Sequence, residues 1–135
     1  MPIDAVVADA NVLLSAAIGK AALRVIVEYS VEVHVTDFNV ADVERYIPRL
    51  CEKYSLPKDV VELQWRLLPL KPHLEQEYES NLTWAQRRLA GRDPDDAHPL
   101  ALAKTLRLPL GSNDSELQGH GIECHPTAVL LRKLD

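Results

Sequence analysis

The stretch Ala5-Val6-Val7-Ala8-Asp9-Ala10-Asn11-Val12-Leu13-Leu14-Ser15-Ala16-Ala17 decides how the rest of the chain is read. Residues 5–8 are apolar, partly β-branched and cut short by Asp9, which predicts a buried strand followed by a turn. A helix follows, with Asn11 placed to cap it and Val12, Leu13, Ala16 and Ala17 on one face. Gly19 and Lys20 separate it from a second helical stretch, Ala21 to Tyr29.

The alternation repeats downstream. Val31, Val33 and Val35 alternate with Glu32 and His34, the two-residue period of a second strand. Thr36, Asp37 and Asn39 are turn and cap residues before Val40, Val43, Ile47 and Leu50, whose spacing predicts a helix carrying Glu44 and bent by Pro48. Pro57 opens another apolar helical stripe that ends before Pro69, and Leu67 to Leu70 reads as a short strand. The spacing of Leu74, Tyr78, Leu82, Ala85 and Leu89 predicts one helix over 73–90, stopped by Gly91. Helix over 95–106, strand over 108–111, a short turn or helix at 115–118, strand over 122–124 and a terminal helix after Pro126 complete the pattern. Pro99 fits that reading if Asp95 or Asp96 caps its helix, because a missing N–H in the first turn breaks no intrahelical bond.

Strands alternating with helices require crossover connections, and therefore a mostly parallel sheet covered on both faces. At 135 residues the chain is the size of one domain, 1–135. Hydrophobic residues form 47% and charged residues 26% of it, the balance of a globular protein rather than a disordered or fibrous one. Met1-Pro2-Ile3-Asp4 lacks the basic stretch of a signal peptide, and Asp9 interrupts the first apolar run before it can cross a bilayer, so a cytoplasmic protein without a membrane partner is expected. Cys51 and Cys124 have neither a zinc spacing nor a redox Cys-x-x-Cys arrangement and read as free thiols.

In parallel sheets, ligands bind beyond the carboxyl ends of the strands. Asp9 follows the first strand and Asp114 follows the strand over 108–111, while Glu44 and Asp96 stand near helix starts expected to face the same edge. Each has a plain structural reading: Asp9 as a helix cap, Glu44 as a solvated helix residue, the acids of Asp93-Pro94-Asp95-Asp96 as a favourable helix start, and Asn113-Asp114 as a turn. Their conjunction at one edge is what points to chemistry. Confined carboxylates raise one another's pKa, and a divalent cation relieves the conflict. Hard oxygen donors suit Mg²⁺ or Mn²⁺, which polarise phosphate and lower the pKa of water.

With these motifs the chain resembles the PIN domain, a metal-dependent ribonuclease fold found in VapC-type toxins and RNA-processing enzymes. The resemblance rests on Asp9-Ala10-Asn11-Val12-Leu13-Leu14-Ser15-Ala16, Val43-Glu44, Arg92-Asp93-Pro94-Asp95-Asp96-Ala97 leading into Leu100-Ala101-Leu102-Ala103, and Ser112-Asn113-Asp114-Ser115-Glu116-Leu117, and spans nearly the whole sequence. It implies a three-layer α/β/α sandwich, an acidic quartet of Asp9, Glu44, Asp96 and Asp114 joined by Asp93, and Asn11 and Ser112 as supporting polar groups. RNA is then the substrate, an antitoxin protein is the partner if the chain is a toxin, and a homodimer is the family expectation.

The formal charge of −5 means that phosphate must be met by a local basic patch or by bound metal. Arg45, Arg49 and Lys53 recur every four residues beside Glu44 and could hold RNA, or form a solvated strip paired with acids such as Glu52. Arg87, Arg88 and Arg92 form a second basic cluster, and Trp65 and Trp84 read as core or interface residues. A catalytically silent PIN-like module that binds RNA or protein is the alternative. A phosphotransfer receiver ranks below both, since Asp9 lacks an adjacent acid and no later strand ends in Lys.

Overall fold

Strand β1 (Ala5–Ala8) lies at the centre of a five-stranded sheet, with β2 (Glu32–Thr36) and edge strand β3 (Leu70–His73) on one side and β4 (Leu110–Gly111) and β5 (Cys124–His125) on the other. All neighbouring pairs are parallel, as the crossover argument requires. The structure is a computed structural model describing residues 3–134, without the side chains of Ala21 and Val25; Met1 and Pro2 of the N-terminal reading, and Asp135, lie outside the described residues.

Helices α1 (Ala10–Ala17), α2 (Ala21–Val27), α3 (Asp37–Lys53), α4 (Lys58–Leu67), α5 (Glu79–Arg88), α6 (Ala97–Leu106) and α7 (Thr127–Leu134) cover the sheet. Alternation along β1 assigns the two cores. Val6 and Ala8 face a cluster with Leu13, Ala16, Val43, Ile47 and Trp65, whereas Val7 faces Tyr78, Ala85, Leu100 and Leu102. The result is the three-layer α/β/α sandwich.

Several local expectations shift. Asp9, not Asn11, caps α1: its backbone is extended and its side chain accepts the Val12 N–H at 2.9 Å, while Asn11 is already helical. The strand expected over 67–70 lies at 70–73, where Pro72 is tolerated because β3 is an edge. The continuous helix expected over 73–90 is broken. His73 ends β3, the Glu77 carboxylate accepts the Leu74 N–H at 2.7 Å and closes a 3₁₀ turn over Glu75–Glu77, and fully buried Tyr78 leads into α5. Pro48 lies inside α3, where it leaves the Glu44 carbonyl without its helical donor.

The chain visits β1, β2 and β3 in order, then returns past β1 to lay down β4 and β5. This reversal puts the topological switch between β1 and β4, and the residues immediately after those strands flank its crevice.

Candidate active site

Asp9 leaves β1 at this crevice and is 2% exposed. Besides capping α1, it accepts a hydrogen bond from the Ser112 hydroxyl, one residue past the end of β4. Ser112 is fully buried and its oxygen also accepts the Asp114 N–H at 3.1 Å. Asp114 then caps a 3₁₀ turn by accepting the Glu116 N–H at 2.9 Å. Two strand ends 103 residues apart are thereby locked together.

The third contribution comes from the start of α6. Asp93 accepts the Asp95 N–H at 3.0 Å and opens a 3₁₀ turn over Pro94–Asp96, and α6 begins at Ala97 with Asp96 at its cap position. Pro99 is the third helical residue, a position without an intrahelical donor bond to lose. The acids thus do serve as helix starts, and they also line a cleft of 340 Å³ with Ala10, Asn11, Leu14, Asn39, Asp42 and Tyr46.

Electrostatics ties these groups together. The Asp96 carboxyl is pushed up to about 6, first by burial and then by the charges of Asp93, Asp114, Asp9 and Asp95. Burial also raises Asp9, against the lowering effect of its hydrogen bonds from Ser112 and Val12. Asp95 is raised by burial, Asp93 and Asp42. Five of these acids therefore share one field, and Asp42 joins it from α3.

Glu44 does not. It is exposed and lines a separate 380 Å³ hollow with Ile47, Glu62, Trp65 and Arg66, between α3 and α4. The expectation that Glu44 faces the cleft is corrected: Asp42 takes that place. Residues two apart on a helix point about 200° from each other, so burial of Asn39, Val43 and Ile47 turns Asp42 inward and Glu44 away. The signal was present in the sequence, because Asn39, Asp42, Val43 and Ile47 form an i, i+3, i+4, i+8 stripe. Arg45 forms an ion pair with Asp42. Asn39, expected only as a turn or cap residue, also lines the cleft and is held by Thr36, whose hydroxyl donates to its side-chain oxygen at 2.8 Å.

A purely carboxylate donor set fits a hard divalent cation in its chemistry. Among the described residues, no three His, Cys, Asp or Glu side chains converge as a ready-made cage. Mg²⁺ is compatible with that, because it commonly takes one or two protein carboxylates and keeps several waters.

Fold and crevice together define a parallel α/β/α domain with an acidic cleft at its switch point. The PIN domain family model matches residues 7–135, and the chain belongs to that family, whose members are generally nucleases. No curated protein gives a significant match. The crystal structure of PAE2754 from Pyrobaculum aerophilum is similar, with TM-score 0.73 and 15% identity over 98% of this chain and 89% of that one. At that identity the likeness supports the fold.

Proposed function

We propose that this protein is a Mg²⁺- or Mn²⁺-dependent ribonuclease whose cation is drawn to the cleft by the charge of Asp9, Asp42, Asp96 and Asp114, with Asp93, one or two of them touching it directly and the others through its waters. The observation that carries this reading is the gathering of acids from four separate segments at the crevice between β1 and β4. Bound there, the cation supplies charge neutralisation for phosphodiester oxygens and a lowered pKa for water. The protein's part is positioning. Ser112 and the Val12 N–H fix both oxygens of Asp9, Ser112 sets the Asp114 backbone, and the mutual repulsion felt by Asp96 favours capture of positive charge. Asn11 and Asn39 add polar groups to the cleft wall.

Incubating the purified protein with a panel of RNAs, in Mn²⁺ or in chelator, tests the reading. Cleavage should require the ion and disappear in Asp96→Asn. Equal cleavage in chelator, or full activity of Asp9→Asn, overturns it. Ion binding without turnover across the panel points instead to a silent PIN-like binding module.

A toxin role, with an antitoxin as partner, draws support from the apolar hollow between α2 and α4. Val27, Val60, Leu63 and Leu67 are exposed there, Leu67 by 73%. Expression of the protein alone should then arrest growth, and Asp96→Asn should relieve the arrest; unimpeded growth favours RNA processing.

A further inference from the structure

Helix α3 leaves the acid cleft carrying alternating cations and exposed aromatic rings. Tyr46 forms part of the cleft wall and is 44% exposed. The Arg49 guanidinium lies 5.6 Å from its ring centroid. At the far end, Tyr54 is 47% exposed and is flanked by two ammonium groups, Lys53 at 5.3 Å and Lys20 at 5.5 Å. Asp42, Tyr46, Arg49 and Lys53 stand at i, i+4, i+7 and i+11, a single helix face running about 16 Å away from the cleft.

We infer that this face is a track for single-stranded RNA, with bases stacking on Tyr46 and Tyr54 and phosphates held by Arg49, Lys53 and Lys20. The inference rests on the ribonuclease reading and extends it to where the strand lies. In a chain of net charge −5 with an acidic cleft, a phosphate backbone needs positive charge beside the site rather than in it. Arg24, Lys58, Lys71 and Arg92 are engaged by acids, but among the described residues Arg49, Lys53 and Lys20 have no ion pair, with Glu52 or any other carboxylate. They lie instead against tyrosine rings. Unpaired bases stack on aromatic and guanidinium faces without regard to sequence, which a duplex cannot do. An acidic peptide would be satisfied by the cations alone and would leave the rings unused.

The test is fluorescence anisotropy of a labelled single-stranded oligouridylate with the full chain in chelator, so that no cleavage intervenes. Tyr46→Ala should weaken binding about tenfold and Tyr46→Phe should not, because stacking uses the ring. Arg49→Glu and Lys53→Glu should each weaken it at least as much and flatten the salt dependence by about 0.7 per lost phosphate contact. Lys133→Glu, on α7, should bind as the unaltered protein. Circular dichroism checks that each variant is folded. Unchanged binding by Tyr46→Ala and Arg49→Glu, equal competition by duplex RNA or by polyglutamate, or no binding of the single strand, each overturns the track. Cleavage in Mn²⁺ is scored separately, so a protein that cleaves RNA but binds it elsewhere loses this inference and keeps the ribonuclease reading.

Discussion

Ser112 bridges Asp9 and Asp114, donating its hydroxyl to the Asp9 carboxylate while accepting the Asp114 N–H at 3.1 Å. One small side chain thereby joins the ends of β1 and β4. Replacing it with Ala leaves a buried carboxylate and a backbone donor each short of a partner. Ser112→Ala should lose about 1–3 kcal/mol of stability, measured by urea unfolding with an unchanged m value. A loss below a few tenths of a kcal/mol would show that the bridge contributes nothing.

Asp42 and Glu44 are separable by experiment. If the cleft holds the cation, Asp42→Asn should reduce Mn²⁺-dependent RNA cleavage by about 10- to 100-fold, raising the Mn²⁺ concentration needed for half-maximal rate. Glu44→Gln should stay within about threefold of the unaltered protein. The reverse ranking would return the fourth acid to Glu44.

The raised Asp96 carboxyl makes the ion-free protein less stable as pH rises. Its folded pKa of about 6 lies above the 3.8 of the free side chain, so between those values the folded state binds more protons than the unfolded state. Stability from this group is therefore full below pH 3.8 and falls as pH climbs through 6. Asp96→Asn should be the more stable form at pH 7 by an amount of order 1 kcal/mol, after allowing for solvent screening of a half-buried group. The difference should close near pH 4, as measured by thermal unfolding of both proteins in chelator. A gap that is independent of pH would exclude this cause.

Divalent ions should reverse that penalty. At a free Mn²⁺ concentration about 100 times its dissociation constant, linkage adds about 2.7 kcal/mol of stability. Differential scanning calorimetry should show a rise in Tm with Mn²⁺ that is much reduced in Asp9→Asn. An equal rise in both proteins would place the ion outside the cleft.

What the sequence determined by itself was local. The apolar run ending at Asp9, the alternation of Val31, Val33 and Val35, and the acids around Pro94 carry their own strand, cap and turn signals, because those depend on neighbours a few residues away. Crossovers then made the sheet parallel, and the rule that ligands sit past strand ends pointed to Asp9 and Asp114. The motifs shared with PIN domains made the family legible as well.

Tertiary structure decided the remainder. Burial of Tyr78 against α6 broke the helix expected over 73–90, although its spacing suited a continuous one. The Asn39, Asp42, Val43 and Ile47 stripe carried in the sequence the rotation that separates Asp42 from Glu44, but only the packing of Val43 and Ile47 under α3 fixed which side of that helix meets the cleft. The bond from Ser112 to Asp9 exists only because β4 is laid down beside β1 after the chain reverses its direction across the sheet. Helix and strand preferences are read over a few residues, whereas the field at a carboxylate sums over every charge that folding brings near it.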